Sequence, residues 1–187
     1  MNKVLIVIDA QHDFTFGALR NEEAIEALPV IQEAVEVAAK KFKNPIFYTK
    51  DTHDRDYLKT QEGKHLPIEH CIIGTDGWEL CPEVDTHECE TMVFLKGSFG
   101  CPDWDEIPFL ENADEILICG FCTDICVSAN FQIIKAFYPE VPITIISDGC
   151  AGSTPELHYA ALKVMKSCQA RIADWATIKN EIRSIWK

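Results

Sequence analysis

Gly120-Phe121-Cys122-Thr123-Asp124-Ile125-Cys126-Val127 follows directly on the apolar run Ile116-Leu117-Ile118-Cys119. An apolar run that closes on glycine, then Thr123 and Asp124, then Ala129, Phe131, Ile133 and Ile134, predicts a buried strand turning sharply into a helix. Cys126 then falls in the first helical turn. There the unpaired backbone N–H groups and the positive end of the helix dipole favour thiolate over thiol. An isolated cysteine is more often a small buried hydrophobe. The reading of Cys126 as a nucleophile therefore depends on what else the chain brings to it.

Outward from this segment, strand and helix signals alternate. Residues 4–8 form a continuous apolar run. Residues 24–42 have helical periodicity, with Leu28, Ile31, Val35, Ala38 and Ala39 on one side. Strands are predicted at 45–49, 92–95, 115–119 and 143–146, with a short one near 170–173. Helices are predicted from Thr123 to about 137, over 155–167 behind a Ser153 or Thr154 cap, and over 175–186. Apolar strands alternating with helices predict a three-layer α/β/α domain with a mainly parallel, roughly six-stranded sheet. Residues 1–187 read as one domain. The stretch 51–89 breaks the rhythm, being rich in His, Pro, Gly and charge, and reads as an irregular insert for metal or substrate. Trp78 and Trp104 lie in irregular segments, as lid or packing residues.

Asp9 closes the first predicted strand, Asp51 the second and Lys96 the third, and Cys126 follows the fourth. In a parallel sheet these carboxyl ends share one edge, so distant parts of the chain converge. A lone Asp there is usually a cap or turn residue, and a lone Lys usually solvated surface. Together they suit thiol chemistry: the Asp can take the thiol proton while the Lys holds the thiolate.

Seventeen basic residues against 30 acidic ones give a formal charge of −13, and no stripe of Lys or Arg is present. Nucleic-acid binding is therefore not expected. The five-residue apolar run at the start is too short for a signal-peptide core or a membrane span, so no membrane partner and a cytoplasmic location are expected. Nine cysteines without an export signal read as reduced thiols. Cys119, Cys122 and Cys126 do not read as a metal site, because no fourth thiolate has ligand spacing.

At this point the chain resembles the isochorismatase-like cysteine hydrolases, which include nicotinamidase, N-carbamoylsarcosine amidase and ureidoacrylate hydrolase. The resemblance is carried by Ile8-Asp9-Ala10-Gln11-His12-Asp13-Phe14, by Lys96-Gly97-Ser98-Phe99, by Gly120 to Val127, and by Ile146-Ser147-Asp148-Gly149-Cys150 with the helix after Pro155. It implies a triad of Asp9, Lys96 and Cys126, a cis peptide before Cys122, and an oxyanion hole from the N–H groups of Cys122 and Cys126. It also implies C–N bond hydrolysis through a thioester, since the members that split isochorismate lack the cysteine. Asp51-Thr52-His53 and Leu66-Pro67-Ile68-Glu69-His70-Cys71 resemble the metal segments of nicotinamidases. That likeness implies Asp51, His53 and His70 as ligands of zinc, or else iron or manganese. Glu62 is the first substitute for the family's third histidine and His65 the second. Phe14, Leu66 and Phe99 are the expected substrate-pocket residues, with Leu66 and Pro67 where relatives commonly place an aromatic ring.

The implied reaction is hydrolysis of a small amide, nicotinamide first, by a homo-oligomer. A carbamoyl, ureido or other aliphatic amide is the alternative substrate. A metal-binding or thiol-sensing module without turnover is the alternative function.

Overall fold

The computed structural model of the chain describes residues 1–86, 88–105 and 107–184. Six parallel strands form its sheet: β1 (Lys3–Ile8), β2 (Ile46–Asp51), β3 (Thr91–Lys96), β4 (Glu115–Phe121), β5 (Ile143–Ala151) and β6 (Arg171–Ala173), in spatial order β3-β2-β1-β4-β5-β6. The chain builds outward from β1 through β2 to β3, then returns to lay β4 on the other side of β1. That reversal leaves a crevice beyond the carboxyl ends of β1 and β4, where open α/β sheets bind ligands.

The longest helix, α2 (Glu22–Lys41), is capped by the Asn21 side chain, which accepts from the N–H groups of Glu23 and Ala24. Pro29 lies inside it and removes one helical hydrogen bond. The helix persists because Leu28, Ile31, Ala34, Val35 and Ala38 are buried along one seam. Each large aliphatic side chain there contributes about 1.5–3 kcal/mol by leaving water. Helix α6 (Pro155–Ser167) starts behind Thr154, whose hydroxyl accepts from Leu157 N–H, with Pro155 in its first turn. Shorter helices α1 (His12–Thr15), α3 (Gln61–His65), α4 (Pro108–Glu111), α5 (Ser128–Phe137) and α7 (Trp175–Ser184) complete the chain. Residues 185–186 of the predicted last helix lie outside the described residues. None of the described helices is long and apolar enough to cross a membrane.

Boundaries differ from the sequence reading most at β5, which continues past 146 to Ala151, and beside the nucleophile motif. β4 runs two residues past Cys119 to Phe121, with a register shift against β5 between Ile118 and Gly120. Gly120 permits this at φ +120°: a Cβ there would lie 1.9 Å from the Ile8 carbonyl oxygen. Thr123–Val127 then form a π-helical turn, and the α-helix proper begins only at Ser128. The sequence pattern registers helical spacing but not the wider hydrogen-bond step. The Phe121–Cys122 peptide is cis.

Trp104 is fully buried against Phe94 and Phe47. Trp78 is fixed by Lys50 lying over its ring and by a hydrogen bond from its indole N–H to Thr52 Oγ1. Both are packing residues. All nine cysteines are free.

Candidate active site

Asp9 follows β1 in a left-handed conformation, φ +47°. Its N–H donates to the Thr49 carbonyl, and its Oδ1 accepts from Thr49 Oγ1 at 2.6 Å. Lys96 ends β3 and reaches under Asp51, the last residue of β2. Its Nζ lies 2.7 Å from Asp9 Oδ2, 3.2 Å from Asp51 Oδ1 and 3.5 Å from Cys126 Sγ. All four side chains are buried. The strand-end convergence expected from the sequence is thus present, and one ammonium touches every other member.

The charge states follow from burial and pairing. Burial opposes the Lys96 charge, but Asp9, Cys126 and Asp51 more than offset it and hold the ammonium protonated. Burial raises Asp9, with Lys96 pulling the other way. Burial first, then the Asp9 charge, pushes the Cys126 thiol well above its ordinary value, and Lys96 only partly offsets them. Burial and the Asp9 carboxylate thus oppose the thiolate that the helix start was expected to favour. The dipole of a short π-helical turn does not outweigh desolvation beside a carboxylate.

A second cluster adjoins the first through Asp51. Its Oδ2 lies 3.0 Å from His53 Nε2 and 3.5 Å from His70 Nε2, and Glu62 Oε1 lies 3.7 and 3.8 Å from the same two nitrogens. Atoms each about 2.1 Å from one ion stand roughly 3–4 Å apart, so these four residues fit a divalent transition metal. The second shell fits too. His70 Nδ1 sits 2.8 Å from the Ile68 carbonyl oxygen, which can only accept, so Nδ1 donates there and Nε2 is turned toward the cluster. Burial opposes ionisation of Asp51, yet hydrogen bonds from His53 and His70 and the Lys96 charge hold it well below the usual carboxylate range. Glu62, not His65, completes the group. His65 is exposed, with its Nδ1 on the Gln61 carbonyl.

Both clusters open onto one cavity of about 1250 Å³, lined also by Phe14, Leu66 and Phe99, the three expected pocket residues. Cys122 lines it beside Cys126.

Several supporting residues carry no sequence signal strong enough to assign their role. Gln11 grips the end of β2, donating to the Asp51 carbonyl at 2.9 Å and accepting from Asp51 N–H at 2.7 Å. Asp13 accepts from Cys71 N–H, which anchors the insert next to His70. Tyr57 packs against both imidazoles, with ring centroids 4.7 and 4.9 Å away. Asn130 is fully buried: its amide donates to the carbonyls of Cys126 and Phe99 and accepts from Cys101 N–H and Trp104 Nε1. An i+4 asparagine after a cysteine on a helix is the only hint the sequence offers.

The isochorismatase domain pattern matches residues 3–177. The nicotinamidase/pyrazinamidase of Mycobacterium tuberculosis is 26% identical over 91% of this chain and 97% of its own. The crystal structure of a Bacillus subtilis nicotinamidase superposes with a TM-score of 0.77 at 27% identity, over 93% of this chain and all of that one. A Pyrococcus horikoshii pyrazinamidase determined in complex with zinc shares the fold, with a TM-score of 0.73 at 24% identity over 93% and 99% of the two chains. With the matched pattern spanning nearly all of its length, the chain belongs to the isochorismatase family and is a hydrolase of that family.

Proposed function

We propose that this protein hydrolyses the C–N bond of a small amide through a thioester on Cys126, with nicotinamide, giving nicotinate and ammonia, as the first substrate. The observation that carries this reading is the buried Lys96 ammonium, 2.7 Å from Asp9 and 3.5 Å from Sγ of Cys126, which lines the cavity. In the resting state the thiol keeps its proton. When the sulfur bonds to the amide carbon, that proton passes to Asp9 Oδ2, and Lys96 holds the charge balance of the pair. The oxyanion falls to the N–H groups of Cys122 and Cys126. Collapse breaks the C–N bond, and Asp9 gives its proton to the departing nitrogen. Water then adds to the thioester, Asp9 takes the water proton, and as the C–S bond breaks Asp9 returns that proton to Sγ, which frees the carboxylic acid and restores the thiol.

Asp51, His53, Glu62 and His70 are the residues that would hold a metal, zinc first. Such an ion would supply fixed positive charge and an open coordination position beside the cavity. A carbamoyl, ureido or aliphatic amide is the second reading. It is supported by Leu66 on the cavity wall, which gives an aromatic ring no stacking partner there.

The test is ammonia release from nicotinamide, a carbamoyl amino acid and simple aliphatic amides, with and without chelator, alongside intact-mass detection of an acyl adduct on Cys126. Release from nicotinamide with an adduct is the expected result. Turnover without any adduct would overturn the thioester route, and release confined to carbamoyl or aliphatic amides would select the second reading.

A further inference from the structure

The π-helical turn that carries Cys126 is tied to a helix distant in sequence. Thr123, its first residue, is completely buried, and its Oγ1 lies 2.8 Å from Nδ1 of His158 on α6. Asp124, its second residue, accepts from both the N–H and the hydroxyl of Ser153 at 2.7 and 2.6 Å, just before α6 begins. These bonds tie the start of the turn to α6 and to the residue just before its cap. The fit leaves little room: a Cβ on Gly152 would lie 2.7 Å from the His158 backbone nitrogen.

We propose that His158 is a positioning residue for the nucleophile. Its Nδ1 bond to Thr123 sets the start of the π-helical turn, and so sets where Cys126 Sγ stands between Lys96 and Asp9. The role is transmitted through Thr123, because His158 touches neither the triad nor the cluster around Asp51. Backbone hydrogen bonds alone could hold a regular helix in place, but a five-residue π-helical turn following an extended Cys122 depends on outside contacts for its exact placement. Burial keeps the half-buried His158 ring neutral in spite of the nearby Asp124 carboxylate, which suits a ring that exchanges a neutral hydrogen bond with a hydroxyl.

The inference rests on the thioester reading, and the experiment separates the two. Formation of the acyl adduct on Cys126 is followed in single turnovers for wild type, His158→Ala, Thr123→Val, the double variant, His158→Asn and His158→Gln, with melting temperatures recorded for each. Absence of an adduct in wild type sinks the thioester reading. With the adduct present, His158→Ala and Thr123→Val should each slow its formation by about 10- to 100-fold while KM changes little. The double variant should be no slower than the slower single variant, because both remove one bond. Asparagine, whose amide overlays Nδ1, should restore most of the rate, whereas glutamine, whose amide reaches the Nε2 position, should not. Losses that multiply in the double variant, or equal rates for asparagine and glutamine, would overturn the proposal. Thr123→Val tests the same bond should His158→Ala fail to fold.

Discussion

Asp9, Lys96 and Cys126 stand at or after strand ends of the sheet, whereas His53, Glu62 and His70 lie off it. In the first group, Asp9 and Lys96 are spaced by the register of β1 and β3, and Cys126 is brought to the same edge by the π-helical turn after β4. The second lies on the irregular insert and is placed by Asp13, Tyr57 and hydrogen bonds to loop carbonyls. Asp51, the last residue of β2, belongs to both. The comparison teaches where damage should travel. A change among the strand-end groups should affect chemistry and stability together, while a change on the insert should affect ligand holding and leave the fold largely alone.

The strongest way to break that contrast is Cys126→Ala. Turnover should fall on the order of 10⁶-fold, as nucleophile removal does in other covalent hydrolases, with the circular dichroism of wild type. Comparable activity in the variant would remove the strand-end corner from the chemistry altogether.

Lys96→Gln sharpens it next. The substitution leaves Asp9 and Asp51 buried without their shared cation, so stability should drop by about 3–5 kcal/mol in urea titrations, along with loss of turnover. An unchanged midpoint would mean that the carboxylates do not depend on Lys96.

On the insert, His53→Ala should abolish metal binding by elemental analysis while moving the urea midpoint little. Glu62→Gln should weaken binding less, since Glu62 stands 3.7–3.8 Å from the imidazoles and is partly exposed. Equal losses for the two would show a ligand set of four equivalent members.

The smallest effect is alkaline. Burial pushes Cys122 and Cys150, which flank the end of β4, up to about 12 from an ordinary 9.0. Above pH 9 the unfolded chain gives up protons that the folded chain keeps. The contribution of these two thiols to stability should therefore be level below pH 9 and fall as pH rises toward 12. Cys150→Ala should flatten that slope in urea midpoints taken across the window, and an identical slope would discount the buried thiol.

The sequence made the strand-end corner legible because its groups sit at apolar-run boundaries, where position along the chain translates directly into position on the sheet edge. Strand order followed less directly, and the register shift at Gly120 not at all, because that depends on the closeness of the Ile8 carbonyl across β1. The insert was half legible: His53 and His70 stood out by motif, and Glu62 was separable from His65 only by where a short helix points its side chains. Asn130 reaches Trp104 across 26 residues as well as Cys126 across 4, and Tyr57 and His158 act across 9 and 35, and no local pattern encodes the distant pairings. The opposition of burial to a Cys126 thiolate was not legible for a similar reason, since desolvation is a property of everything packed around the sulfur.

The placement of β1 at the middle of the sheet also governs when this chemistry first exists. Lys3 pairs with Glu115 and Ile8 with Gly120, so β1 finds its β4 neighbour only more than a hundred residues later along the chain. Contacts that distant make the sheet slow to close. Until β4 arrives, Asp9 has no thiol beside it, and Cys126 is an ordinary cysteine on an unfinished chain. The reactive arrangement therefore appears late and all at once, which spares the nascent polypeptide a competent nucleophile while its apolar strands are still exposed.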